Sequence, residues 1–261
     1  MDVSIRDLGK IYTSRGGGRV VALQDVTTTI HRGEFVTLVG PSGCGKSTLL
    51  DIIAGLTPKS SGEVTLGGAH VQYGRPSRAV GLVFQKPVLL PWRTALENVY
   101  LPAQLGETPA SRSSESELKA RAASLLELVG LGTFTEKYPW ELSGGMQHRV
   151  SIARALLLEA EVMCMDEPFA ALDEFTREQM HVELLKLWNE KEFTGIFVTH
   201  NIFESAFLSD RVLVMTPRPG KIVAEVDIDL PRPRTKEMIG TTGFSENVRR
   251  IRDVMAEHWT G

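Results

Sequence analysis

The chain has few cysteines and no long apolar run, and each shortage excludes something. Two cysteines, Cys44 and Cys164, are too few for a disulfide framework and suit reduced thiols. One falls in a glycine-rich loop and the other in an apolar run, and neither position suggests a metal cluster. No stretch approaches the roughly 18 to 20 apolar residues needed to span a bilayer. The opening MDVSIRDLGK lacks a basic region followed by an apolar segment, so no secretory leader is expected and a cytoplasmic location is. Positive charge is not in excess either: 29 Lys and Arg stand against 32 Asp and Glu, a formal net charge of -3. Non-specific binding to a nucleic-acid backbone is therefore not expected. Repeats of solenoid period and long low-complexity tracts are missing. SRGGGR (14–19) and ETPASRSSES (107–116) read as exposed loops.

What is present fits a globular protein: 261 residues, 42% hydrophobic and 23% charged, enough for one large core or two modest lobes. Four short apolar runs each end in a polar residue of chemical interest. FVTLVG leads into a glycine-rich loop, AVGLVF into Gln85, VMCM into Asp166 and Glu167, and GIFVT into His200. Such runs read as buried parallel strands, and open α/β sheets bind ligands beyond the carboxyl ends of their strands. Between Gln85 and Asp166 the pattern becomes helical, in ESELKARAASLLELVGL and MQHRVSIARALLLEA, which predicts an inserted helical lobe. Near the start, VSIRDLGKIY and VVALQDVTTTIHRGE alternate in part and carry β-branched residues, as antiparallel strands do. Phe244, Val248, Ile251, Met255 and Trp259 recur at helical spacing and predict a packing face on a terminal helix.

The glycine-rich loop GPSGCGKST, residues 40–48, satisfies G-x-x-x-x-G-K-[ST] between an apolar strand and the helix-like TLLDIIAGL. Gly40, Pro41, Ser42, Gly43, Cys44 and Gly45 let the backbone curl so that its N–H groups face phosphate oxygens, and the helix start adds partial positive charge. Lys46 would neutralise the β and γ phosphates, with Ser47 and Thr48 opening the helix. The Ser47 hydroxyl and the Asp166 carboxylate suit Mg²⁺, which takes few protein ligands. Glu167 is the catalytic candidate, because phosphoryl transfer to water needs a group that orients or deprotonates the nucleophile.

With this loop, FQ, LSGGM, VMCMDEP, AALD and VTH in order along nearly the whole chain, the sequence resembles the ATP-binding subunits of ABC transporters. The resemblance implies an α/β fold: a P-loop NTPase core with a mixed sheet, an antiparallel β portion and an inserted helical subdomain. It places the nucleotide-binding core at 1–86 and 160–230, the helical subdomain at 87–159 and a helical tail at 231–261. In that family two subunits pack head to tail around ATP, so Ser143, Gly144 and Gly145 would meet the γ-phosphate held by the partner. Tyr12 matches the aromatic that stacks on adenine, Gln85 the residue that reaches Mg²⁺ and the attacking water, and His200 the histidine that touches the γ-phosphate. Asp173 matches a residue that communicates across the dimer and lies beside the nucleotide. Met146, Glu141 and His148 depart from the commonest residues around the signature. LLPW, within KPVLLPWRTALENVYLP (86–102), matches the family segment that lines the groove for a coupling helix of the permease, so residues 86–102 are expected to serve packing and docking jointly.

The resemblance thus implies an ATPase coupled to transport, with ATP and Mg²⁺ bound and a homodimer as the working unit. Separate membrane-spanning permease subunits would be direct partners and an external solute-binding protein an indirect one. The chain would sit peripherally on the inner face of the cell membrane. LLPW, LSGGM and VMTPRPGKIV point to the importer branch for nitrate, sulfonates and taurine, without the regulatory domain that maltose-type importers append. A soluble ABC-type ATPase of DNA repair or translation fits less well, since those chains carry a long coiled coil or two cassettes. A P-loop kinase or GTPase would leave the signature loop and His200 unused.

Overall fold

The computed structural model describes residues 1–14, 16–105 and 114–259. Arg15 of SRGGGR, and residues 107–113 of the expected loop ETPASRSSES, lie outside the described residues. The N-terminal alternating segments form β1 (Val3–Thr13) and β2 (Arg19–Ile30), paired antiparallel. The four apolar runs become β3 (Phe35–Val39), β6 (Val80–Val83), β7 (Val162–Asp166) and β8 (Thr194–Val198). Strands β4 (Ser61–Leu66) and β5 (Ala69–His70) join the first two in a sheet of order β2-β1-β4-β5.

A second sheet has the order β10-β9-β3-β8-β7-β6, with β9 (Arg211–Met215) and β10 (Ile222–Asp227) at one edge. All its pairings are parallel except β9 with β10. The apolar runs are continuous rather than alternating because both faces of this sheet are covered. Phe35 and Val39 enter one core while Val36 and Leu38 enter the other, and Met163 and Met165 are divided from Val162 and Cys164 in the same way. The period-two geometry of a strand sends neighbouring side chains to opposite faces, so both faces must be apolar.

Helix α1 (Lys46–Ile53) covers the face shared with the first sheet. Between β6 and β7 the chain forms α2 (Ala95–Leu105), α3 (Glu115–Leu128) and α4 (Gly144–Leu157), which pack on one another. The start of α3 is fixed by a capping box: the Glu117 amide donates to Ser114 Oγ at 3.3 Å and the Ser114 amide to Glu117 Oε2 at 2.7 Å. After β7 and β8 come α5 (Glu174–Lys191) and α6 (Ile202–Leu208), and α7 (Thr242–Trp259) closes the chain's described part. Phe244, Val248, Ile251 and Met255 are buried on α7. Trp259 donates from Nε1 to the Met215 carbonyl at 3.0 Å. No helix among the described residues is long and apolar enough to cross a membrane.

Because β3, β6, β7 and β8 run parallel, their carboxyl ends open on one edge. This edge gathers the polar residues that follow each strand.

Candidate nucleotide site

After β3 the chain turns through residues 40–45 into α1, whose N-cap is Gly45 with φ 108°. A Cβ there would lie 2.7 Å from Leu23 Cδ2 and 3.0 Å from the Ala22 carbonyl. Handedness and the close approach of β2 both require glycine. Lys46, only 7% exposed, folds back so that Nζ donates to the carbonyls of Gly40 at 2.7 Å and Pro41 at 3.0 Å. Cys44 is fully buried beneath the loop, its Sγ 3.8 Å from Lys46 Nζ, a packing thiol as its loop position suggested. Cys164 is buried too, and burial, with Asp51 adding to it, pushes its thiol up to about 12.

The loop opens onto a cavity of about 260 Å³ whose lining includes Tyr12, Lys46, Ser47, Thr48, Gln85 and Glu167. The Tyr12 hydroxyl lies 3.5 Å from Thr48 Oγ1, and Lys10 Nζ sits 4.6 Å from the ring centroid. Arg218 also lines it and donates from Nη2 to the Gly43 carbonyl at 3.0 Å. In the sequence VMTPRPGKIV marks only the importer branch and gives this arginine no role. No local signal could have found it, since its partner lies 175 residues away.

At the far end of β7, Asp166 accepts a hydrogen bond from Ser47. Burial pushes its carboxyl above the usual range, Glu167 adds to this, and Ser47 and Lys46 oppose it. Glu167 has φ 45°, an uncommon conformation for a side-chain-bearing residue and one that clusters at functional sites. Its amide donates to the Val198 carbonyl at 3.0 Å, which ties the turn to β8. Gln85 Nε2 lies 3.4 Å from Glu167 Oε2, and His200 Nδ1 lies 3.4 Å from Glu167 Oε1. Residues following three different strands therefore meet at one carboxylate.

The His200 loop is held from behind by Glu204, which is 6% exposed. Thr199 Oγ1 donates to its Oε2 at 2.5 Å, and His181 Nε2 lies 3.2 Å from Oε1. Burial penalises the Glu204 charge, but hydrogen bonds from His181 and Thr199 and the nearby Arg177 outweigh it and hold the carboxyl below its usual range. A carboxylate depressed by folding stabilises above its unfolded pKa, and that stability is lost as pH falls through the folded value. Glu204→Gln is expected to lower stability by about 1–3 kcal/mol at pH 7. The gap to the unmodified protein should close as pH falls below about 4.5. Thermal denaturation across that pH range checks both statements, and a gap independent of pH would contradict the assignment.

Ser143, Gly144 and Gly145 lie elsewhere. Ser143 is the N-cap of α4, accepting from the Met146 amide at 3.3 Å, and none of the three lines the cavity. A Cβ on Gly144 would meet nothing within 4 Å, so no contact among the described residues requires glycine there. Asp173 caps α5, accepting from the Thr176 amide at 3.0 Å, and also stays out of the cavity. The departures near the signature have structural roles: Met146 packs on the core, and Glu141 pairs with Lys137 at 2.8 Å. His148 is 6% exposed, and burial pushes its pKa below the usual histidine value.

A second concave surface, of about 460 Å³, is lined by Leu56, Phe84, Val88, Leu101, Pro102 and Leu105 among others. Arg154 donates to the carbonyls of Val88 at 2.8 Å and Pro87 at 3.0 Å and fixes its wall. The expected LLPW knuckle is not its lining. Leu89 packs on the core, Leu90 is bonded through its amide to Asn98 Oδ1 at 2.8 Å, and Trp92 stands 69% exposed outside the groove. The physical reason is the buried Asn98, whose side chain ties Leu90, Arg93 and Thr94 to the start of α2.

Comparison with known proteins gives the family. A family model described as ABC transporter matches residues 23–170. The chain is 42% identical over 252 residues to an aliphatic sulfonates import ATP-binding protein, SsuB, of Bacillus cereus, covering 97% of this chain and 93% of that one. It is 46% identical over 221 residues to a taurine import ATP-binding protein, TauB, of Rhizobium johnstonii, covering 85% and 82% respectively. Its fold is similar to that of the ATP-binding cassette MJ0796 in a dimeric post-hydrolysis state bound to ADP and Pi. That match has a TM-score of 0.78 and 33% identity, covering 88% of this chain and all of the other.

Proposed function

Given that this chain belongs to the ABC transporter family of ATP-binding ATPases, we propose that it powers uptake of a small solute of the sulfonate or taurine kind. The observation that carries the reading is the meeting of Gln85, Glu167 and His200 beside the phosphate loop, in a chain 42% and 46% identical to import ATP-binding proteins. Gly40 to Gly45 cradle the phosphates, Lys46 swings from the Gly40 and Pro41 carbonyls to the β and γ phosphates, and Tyr12 stacks on adenine. Glu167 orients and deprotonates the attacking water, and Gln85 and His200 hold that water and the γ-phosphate in place.

Ser47, Asp166 and Gln85 suit Mg²⁺: their oxygens are hard donors, and a divalent cation would relieve the cost of the buried Asp166 charge beside Glu167. When bound, the ion would neutralise charge developing on the phosphates.

Ser143, Gly144 and Gly145 complete the site of a second copy. The exposed start of α4, a helix N-terminus with an open Gly144, suits a γ-phosphate presented by a partner. Asp173, capping α5, lies at the same dimer interface. ATP then favours the closed pair and ADP releases it, because γ-phosphate contacts exist only before hydrolysis. A solute-binding protein would deliver cargo to permease subunits on the outer side, while this chain works on the inner face of the membrane.

The apolar groove beside Val88 and Leu105 takes the permease's coupling helix, an apolar helix face laid in an apolar groove. Leu105 is 78% exposed, so Leu105→Asp should fold normally. In the complete transporter it is expected to keep basal ATP hydrolysis and lose more than about nine-tenths of solute uptake, since a charge in an apolar contact costs several kcal/mol. Trp92→Asp, outside the groove, is expected to have a smaller effect. Uptake in proteoliposomes is the measurement, and undiminished uptake by Leu105→Asp would remove the docking assignment.

A further inference from the structure

A third cavity, of about 390 Å³, shares no lining residue with the nucleotide cavity. It lies between the second half of α5 and the segment PRPRTKE, residues 231–237. Its volume falls within the range of about 300–1,000 Å³ typical of small-molecule sites. Val182, Leu185 and the ring of Trp188 give it an apolar wall, and Arg232 and Arg234 a cationic one.

The charges there do not balance. Arg232 and Arg234 share one carboxylate, Asp210, at 2.7 Å and 4.0 Å. Their other partners are neutral carbonyls, of Leu208 for Arg232 and of Ala206, Phe207 and Leu230 for Arg234. Arg234 is 5% exposed, so its charge is little screened by water. Burial, reinforced by Arg232 and opposed by Asp210, pushes its guanidinium down to about 9. The lysines at the rim are compensated: Lys186 meets Glu183 at 2.8 Å and Lys236 meets Glu178 at 3.9 Å. The rim carboxylate of Glu237 is exposed and hydrogen-bonded by Thr235.

Hydrogen-bond donors are also in surplus. Among the described residues Trp188 Nε1, Arg232 Nη1 and Arg234 Nε are buried without a partner, and all three residues line the cavity. Buried donors left unsatisfied are uncommon in folded proteins and ask for an explanation. The guanidinium of Arg232 lies 4.2 Å from the Trp188 ring centroid, so cation and apolar wall are contiguous.

We propose that this cavity binds a small organic monoanion, with its carboxylate or sulfonate head at Arg232 and Arg234 and its apolar body against Val182, Leu185 and Trp188. Among the described residues one negative charge matches the uncompensated buried cation at this cavity, and the apolar wall selects against a bare inorganic ion. Such a ligand would brace the 231–237 segment on α5, the helix that Asp173 caps. The inference does not rest on the transport reading.

The test is calorimetric titration of the full chain, with ADP saturating the phosphate loop, by hexanesulfonate, hexanoate and hexanol. One anion per chain is expected, with hexanol binding at least about tenfold more weakly. Arg234→Gln removes the charge and Val182→Trp fills the cavity, and each should weaken anion binding by at least about tenfold. Equal binding of hexanol, anion binding unchanged in both variants, or no binding up to about 10 mM would each overturn the proposal. The comparison of hexanesulfonate with hexanol uses the unmodified protein and stands even if a variant fails to fold.

Discussion

Lys46→Ala is expected to abolish productive nucleotide binding while leaving the fold intact. The ammonium is the one side-chain cation that the phosphate loop itself supplies, and it is already positioned, 7% exposed and bonded to the Gly40 and Pro41 carbonyls. A hydrogen bond to a charged group contributes about 1.5–3 kcal/mol, so loss of even one corresponds to about 10- to 150-fold in Kd. Two phosphates lose their counter-charge at once, which puts the effect at or beyond the upper end. Alanine is the best helix former and would stand at the first position of α1, so the nucleotide-free protein should stay folded, with a melting temperature lowered by the loss of the bonds to the Gly40 and Pro41 carbonyls. Equilibrium binding of a fluorescent ATP analogue checks the result, and undiminished affinity would remove the phosphate site from residues 40–48.

Glu167→Gln separates binding from turnover. Glutamine keeps the volume and a hydrogen-bonding oxygen beside Gln85 and His200, both 3.4 Å from the present carboxylate, but it cannot take a proton. General base catalysis contributes about 10²- to 10⁴-fold, and kcat is expected to fall by that factor with ATP affinity retained. Since the γ-phosphate then persists, the closed pair should accumulate under saturating Mg-ATP and be visible by light scattering as a doubled mass. Turnover near the unmodified rate would take the base away from Glu167. A monomer under those conditions would count against a partner's Ser143 to Gly145 completing the site.

The parts of the site that were legible in the sequence are those whose chemistry is local. A phosphate loop is built from consecutive backbone amides, so GPSGCGKST carries its own geometry. The apolar run before Asp166 and Glu167 likewise announces a buried strand with two carboxylates at its end. Arg218 was not legible, because it reaches Gly43 only after β9 has been placed beside β3. The division of labour within residues 86–102 was not legible for a related reason. Composition shows apolar residues in a row, but only tertiary contacts decide that Leu89 packs on the core and Leu90 is tied to the buried Asn98, while Val88, Leu101 and Pro102 of the same segment line the groove with Leu105.

The sequence by itself determined the alternation of strand and helix, the phosphate loop and the order of the polar residues that follow each apolar run, since these depend on periodicity and on neighbours along the chain. Tertiary structure alone decided that Gln85, Glu167 and His200 meet, that Ser143 to Gly145 stay apart from them, and that Arg232 and Arg234 share a single carboxylate. The first depends on strand order in a parallel sheet, where adjacent strands are joined by long crossovers, and the last on the antiparallel β9–β10 pair, which brings the residue before β9 beside the segment after β10. In both the residues that touch lie tens of positions apart, and no local pattern records the contact.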